Sequence, residues 1–315
     1  MRRRIVFPEA GEPRIAEAAL RLARQGLAEP IVLGNPEQLA RLGFDFPGIT
    51  IVEPLTDPRR ERCAAHFHER RRLRGLAADA AYHDCVNPLL YAALLVAVGE
   101  ADGSVAGATE PTAQVLRAAL WAVGPAPGIS TVSAAFYMVI PSLGRGGRPA
   151  VLTFADTAVI PEPTPLQLAE IALTTAAARS RVVGDEPHVA FLSYSTRGSA
   201  MGPSVARVRE AVAIFHDRAP EVPADGELQL DAAIVGSIAR RKAPDSKVAG
   251  RANVLIFPNL DASNIGYKLV ERLGRAHALG PIVQGLARPC NDLSRGASVQ
   301  DIVDVACITA LMAQE

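Results

Sequence analysis

Three short stretches hold the densest supply of groups that can grip an anion. Gly107-Ala108-Thr109-Glu110-Pro111-Thr112 is followed by Arg117; the others are Ser193-Tyr194-Ser195-Thr196-Arg197-Gly198-Ser199 and Asn291-Asp292-Leu293-Ser294-Arg295-Gly296-Ala297-Ser298. Each places hydroxyls, glycine and arginine before a helix. Free backbone N–H groups at a helix start, hydroxyls and a guanidinium together make an anion site, so a phosphate-bearing ligand is the expected occupant. A single loop of this kind reads equally well as a capped turn; three in one chain favour the ligand. Ser298-Val299-Gln300-Asp301 keeps two readings open. It matches a capping box, and its carboxylate also stands where a general base beside an anion site would stand.

Other chemistries find no support. There is no GxxxxGK[ST], no GxSxG and no HExxH, and Gly144-Arg145-Gly146-Gly147 lies in a hairpin loop with no helix behind it. Cys63, His66 and His68 resemble ligands, but on a helix His66 and His68 point about 200° apart. No metal is expected. Cys307 falls at an apolar helical position and reads as packing, and His188 opens a strand while His277 sits in a surface stretch.

Arg4-Ile5-Val6-Phe7 reads as a buried strand, Pro13 as the first residue of a helix and Gly26 as its end. Ile31–Leu33 is the next strand, and this alternation predicts a mostly parallel sheet flanked by helices. Asp57-Pro58, Asn87-Pro88, Glu110-Pro111 and Thr164-Pro165 each pair an N-cap candidate with proline in a first turn. Further strands are expected over 103–107, 131–140, 150–155, 188–194, 252–257 and 282–285, with closing helices near 265–273 and 299–313. The loop at Leu143–Pro149 is expected to join a hairpin.

The chain has 315 residues, 33 Lys+Arg against 33 Asp+Glu, and 49% hydrophobic residues. That length suits two domains, and the neutral balance argues against a non-specific nucleic-acid binder. Four scattered cysteines do not make a disulfide scaffold. Leu89–Val98, the most apolar window, is too short for a bilayer. A soluble, cytoplasmic protein without a membrane or nucleic-acid partner is the expectation.

Gly280-Pro281-Ile282-Val283-Gln284-Gly285-Leu286-Ala287-Arg288-Pro289-Cys290-Asn291-Asp292-Leu293-Ser294-Arg295-Gly296 resembles the C-terminal signature of the phosphate acetyltransferases. Lys242-Ala243-Pro244-Asp245-Ser246, Ala249–Val254, Phe257-Pro258-Asn259-Leu260, Leu192–Ala200, Asp225–Ala233, Ala101-Asp102-Gly103 and Pro8-Glu9 are similar to further blocks of that family, in order over nearly the whole chain. The resemblance implies acyl transfer between acetyl-CoA and phosphate, giving acetyl phosphate and CoA, in a homodimer with no cofactor beyond CoA as substrate. It implies two α/β/α domains with mostly parallel sheets and an interdomain cleft, 1–128 with 280–315 forming the first and 129–279 the second.

Position by position, the resemblance makes Ser294 the residue that steadies the tetrahedral transition state and Asp301 the base for the CoA thiol. Arg295, Arg117 and Arg71 become CoA and phosphate ligands, joined by Thr112, Ser195, Thr196 and Asn291. The chain departs from the family at Glu110, Pro111, Ile160 and Ala297, which bears on acyl-chain preference. Phosphate butyryltransferase is the nearest alternative, and an acetyl-CoA-sensing regulatory relative is the second.

Overall fold

In the computed structural model, which describes residues 2–44, 46–145 and 148–313, β1 (Arg4–Phe7) lies in the middle of a sheet, its last three residues buried. α1 (Pro13–Gln25) starts on Pro13, whose fixed φ suits a first turn, and stops at Gly26, which adopts φ +66°. Ile15, Ala18, Ala19 and Leu22 are its buried face. There follow β2 (Glu29–Leu33), α2 (Pro36–Arg41), β3 (Thr50–Val52), α3 (Arg60–Arg71), α4 (Ala78–Asp84), α5 (Pro88–Ala97), β4 (Gly103–Ala106) and α6 (Thr112–Ala122).

The proline-paired starts divide by chemistry. Asn87 caps α5 through the Leu90 N–H, and Thr164 forms a full capping box with Gln167. Asp57 instead holds the Arg59 amide and guanidinium, and α3 begins at Arg60. Pro111 is itself the cap position of α6 and supplies no side-chain bond. The apolar window is α5, whose residues Leu89–Val96 are all buried. Each large side chain there contributes about 1.5–3 kcal/mol of burial, which accounts for a run that is apolar on every face.

The middle of the chain builds β5 (Ser133–Arg145), β6 (Arg148–Ala155), α7 (Pro165–Val182), β7 (Val189–Leu192), α8 (Pro203–Arg218), β8 (Ala224–Leu228), α9 (Leu230–Ile234), α10 (Gly236–Lys242), β9 (Val254–Ile256), α11 (Leu260–Arg272) and β10 (His277–Gln284). β5 and β6 pair antiparallel, as a hairpin requires; Gly146 and Gly147 at the expected tip lie outside the described residues. The chain then closes with β11 (Cys290–Asp292) and α12 (Val299–Met312).

Two compact units result, 1–127 with 286–315 and 128–285. The first holds a five-stranded, wholly parallel sheet in the order β11-β4-β1-β2-β3. The second holds six strands in the order β10-β5-β6-β9-β7-β8, antiparallel at the β10-β5-β6 side and parallel elsewhere. Residues 280–285, grouped by the sequence reading with the first domain, fall in the second unit, because 282–284 continue β10 along β5. β3, β8 and β11 were not expected. Each is short, and β8 (Ala-Asp-Gly-Glu-Leu) and β11 (Cys-Asn-Asp) are polar enough to read as loop.

Candidate active site

β1, β4 and β11 run side by side, so the segments leaving their C-terminal ends meet at one edge of the first unit. Parallel sheets bind ligands at such ends. The first anion loop, after β4, is already filled by the chain itself. Glu9, just past β1, accepts the Gly107 and Ala108 amides on Oε2 at 2.7 and 2.9 Å; its Oε1 takes the Thr109 and Glu110 amides at 2.7 and 2.9 Å and the Thr109 hydroxyl at 2.7 Å. This corrects the expectation that these amides wait for phosphate. Gly107 has φ +101°, and a Cβ there would collide with Asp292 Oδ1, so only glycine lets the two strands' exits approach this closely.

The loop in the second unit is filled likewise. Buried Glu227 accepts the Ser195 hydroxyl at 2.8 Å and the Gly198 amide at 2.9 Å, and pairs with Arg209 at 2.7 Å. Burial alone would raise its carboxyl, but these donors more than offset it and hold the group at about 2. Ser195 and Thr196, expected as substrate ligands, are buried, and Thr196 exchanges hydrogen bonds with Gln229. Arg197 is paired with Asp225 at 2.6 Å. These residues shape their loop from within.

The third loop differs. Asn291, also expected as a ligand, is fully buried and donates to Thr309 Oγ1 of α12. Beyond it Ser294, Arg295 and Gly296 are exposed. The turn is closed by Ala297 N–H on the Ser294 carbonyl at 2.9 Å. Arg14, in the first turn of α1, donates Nη1 to the Arg295 and Ala297 carbonyls at 2.9 and 2.7 Å and Nη2 to the Ala108 carbonyl at 3.1 Å. Asp301 Oδ2 accepts the Ser298 amide at 2.8 Å and hydroxyl at 2.9 Å, while its own N–H donates to Ser298 Oγ. The capping box is therefore present, and Oδ1 has no hydrogen-bond partner among the described residues.

Asp292 sits beneath this turn. Its Oδ2 accepts the Thr112 hydroxyl at 2.6 Å, while Oδ1 is buried without a hydrogen-bond partner among the described residues. Burial pushes its carboxyl up to about 6, with the Thr112 bond opposing and the nearby Glu9 charge adding to the rise. Thr112 is thus positioned by a carboxyl group at the sheet end.

Arg117 lines a cavity of about 470 Å³ with Gln114, Leu90 and Trp121. The Arg71 guanidinium stacks 4.7 Å from the centre of the ring of Trp121, which also lines the Arg117 cavity. A second cavity of about 330 Å³ shares Asn87, Leu89 and Gln114 with the first and reaches Glu9 and Thr109. Glu110 lines this second space; Ala297 is buried, and Ile160 donates its amide to Asp156 at 2.6 Å in the second unit.

With backbone amides spent on Glu9, Glu227 and Asp301, the cationic groups left for a phosphate are side chains. The guanidinium groups of Arg295 and Arg117 make no ion pair or hydrogen bond with the described residues, and Ser294 offers its hydroxyl. Residues the sequence reading missed are Glu9, Arg14, Trp121, Asp292 and Glu227. Glu9, Asp292 and Glu227 fall inside blocks that the resemblance singles out, without a role attached; Arg14 and Trp121 act through long-range contacts that spacing does not encode.

The family model described as Phosphate acetyl/butaryl transferase matches residues 1–310. A phosphate acetyltransferase of Thermoanaerobacterium thermosaccharolyticum is 45% identical over 315 residues, covering 99% of this chain and 96% of that protein. One of Paracoccus denitrificans is 45% identical, covering 98% and 94%. The crystal structure of a phosphotransacetylase from Streptococcus pyogenes superposes with a TM-score of 0.92 at 41% identity, covering 99% of this chain and 94% of that one.

Proposed function

Since this chain belongs to the phosphate acetyl/butyryltransferase family, we propose that it moves an acetyl group between CoA and phosphate, acetyl-CoA + phosphate ⇌ acetyl phosphate + CoA, within a ternary complex. The observation that carries this reading is the exposed Ser294-Arg295 turn at the end of a parallel sheet, followed in the first turn of α12 by a carboxylate with an open oxygen.

In the direction that makes acetyl-CoA, Asp301 takes the thiol proton on Oδ1. The sulfur attacks the acetyl carbonyl carbon, and the oxygen of that carbonyl gains the charge that Ser294 steadies by hydrogen bonding. The C–O bond to phosphate then breaks and phosphate leaves with the electron pair, held by Arg295. Planar guanidinium groups suit this anion better than lysine would. Arg117, which shares a cavity with Trp121, and Arg71, stacked on that indole, are ligands for the CoA phosphates and adenine, and Thr112, held by Asp292, is a further substrate ligand. The transfer is direct, so it uses neither an enzyme nucleophile nor a metal.

The chain acts in the cytoplasm as a homodimer. Ile265, Leu269 and Leu273, spaced four apart on and just past α11, are 60%, 52% and 79% exposed and form an apolar stripe that a second copy would cover. The test is phosphate-dependent thiol release from acetyl-CoA and from butyryl-CoA. Acetyl-CoA is expected to react faster; a butyryl preference moves the chain to the other branch of its family, and release that ignores phosphate defeats the reading.

A further inference from the structure

We infer that Arg14 is a positioning residue for acyl transfer, setting the Ser294-Arg295 turn by gripping backbone carbonyls from the first turn of α1. The inference rests on the functional reading of that turn given above. Four of the five guanidinium N–H groups are committed: Nε to Glu12 Oε1 at 2.8 Å, Nη1 to the Arg295 and Ala297 carbonyls, and Nη2 to the Ala108 carbonyl. One planar fork therefore joins the loop after β4 to the turn after β11.

Both ends of this tie are firm. Glu12 caps α1 through the Arg14 amide while holding the guanidinium, and α1 is anchored by Ile15, Ala18, Ala19 and Leu22. Ala108 is fixed by its own amide on Glu9. The turn itself is weakly built. Apart from Arg14, residues 294–296 are held by Ala297 N–H on the Ser294 carbonyl and by a 3.3 Å bond from Gly296 N–H to Ser294 Oγ. Glycine at 296 adds no side chain to stiffen it. Removing the fork frees the carbonyls on either side of Gly296, and the hydroxyl and guanidinium at 294 and 295 lose their fixed direction.

Lysine keeps the charge but presents one nitrogen on a flexible stem, which cannot meet three carbonyls and a carboxylate in a plane. Arg14→Lys should therefore lower kcat about 10- to 100-fold, the scale of a misplaced reacting group, with Michaelis constants for CoA and acetyl phosphate nearly unchanged. Amide hydrogen exchange should speed up at 295–298 and stay as in the wild type along β1 and β4. In Arg14→Ala, added guanidinium chloride should restore part of the lost turnover, and ammonium chloride at the same ionic strength should not. Wild-type kcat in Arg14→Lys, or a lower melting temperature with turnover and exchange at 295–298 unchanged, overturns the inference. Ser294→Ala, run alongside, separates the two claims: if it is inactive while Arg14→Lys is fully active, only the tie fails, and if it is active the turn's assigned function fails.

Discussion

Replacing Asp301 by asparagine separates two jobs held by one carboxylate. The cap uses Oδ2, which accepts the Ser298 amide and hydroxyl at 2.8 and 2.9 Å. Asparagine keeps an amide oxygen for that place, so the change trades a charged acceptor for a neutral one at a helix N-terminus. Loss of the charge–dipole attraction and of part of the hydrogen-bond strength costs about 0.5–1.5 kcal/mol. In a chain of this length that lowers the melting temperature by a few degrees. The base role is lost altogether, because an amide cannot take a thiol proton at neutral pH. A positioned general base is worth about 10²–10⁴ in rate. Asp301→Asn should therefore lose at least about a hundredfold in kcat for acetyl-CoA synthesis, while the Michaelis constant for CoA moves little. The assay is thioester formation followed by ultraviolet absorbance, with a melting curve on the same sample. Turnover within a few-fold of wild type, together with the small fall in melting temperature, would leave Asp301 as a cap and nothing more.

Other changes test the surrounding frame. Glu9→Gln puts an amide N–H₂ against a cradle made wholly of donors, and the unpaired groups should cost about 1–3 kcal/mol, read as a lower denaturation midpoint. Asp292 binds its proton more tightly folded than unfolded, so between about pH 6 and pH 4 the folded state should gain stability from it as the pH falls; the gain is about 2–3 kcal/mol at about 1.4 kcal/mol per pKa unit. Asp292→Asn keeps an acceptor for Thr112 and should lack that pH-dependent component in urea titrations; equal slopes for the two proteins would refute the raised carboxyl. Arg117→Ala should raise the Michaelis constant for CoA more than that for acetyl phosphate, since Arg117 sits by Trp121 rather than on the Ser294 turn.

Much of the scaffold was legible because local signals agreed with tertiary need. Pro13 and Gly26 bracket α1, Asn87 and Thr164 cap the helices they precede, and the uniform apolarity of 89–96 matches a helix buried on all sides. Short strands were not legible. Cys290-Asn291-Asp292 has two polar residues out of three and becomes a strand only because β4 lies beside it. The loops were legible as amide-rich turns, and the groups that occupy them in the folded chain were not. Glycine-rich turns before helices offer amides to any anion, and sequence spacing cannot tell whether a carboxylate a hundred residues away has already taken them, as Glu9 has. Ser195, Thr196 and Asn291 have interior partners that the sequence did not show, because a small polar residue beside a loop looks the same whether it faces a ligand or satisfies the interior.

The placement of β11 and α12 has a consequence for how this protein is made. β11 is an edge strand of the first unit, and everything in the second unit precedes it in the chain. A ribosome therefore delivers all of 128–285 before it delivers the strand that presents Ser294. The inserted unit has every residue it needs while its host still lacks an edge strand and a covering helix, so nascent chains stalled before residue 290 should protect β5–β9 from protease and show no acyl transfer. Reactivity arrives with the last elements threaded home.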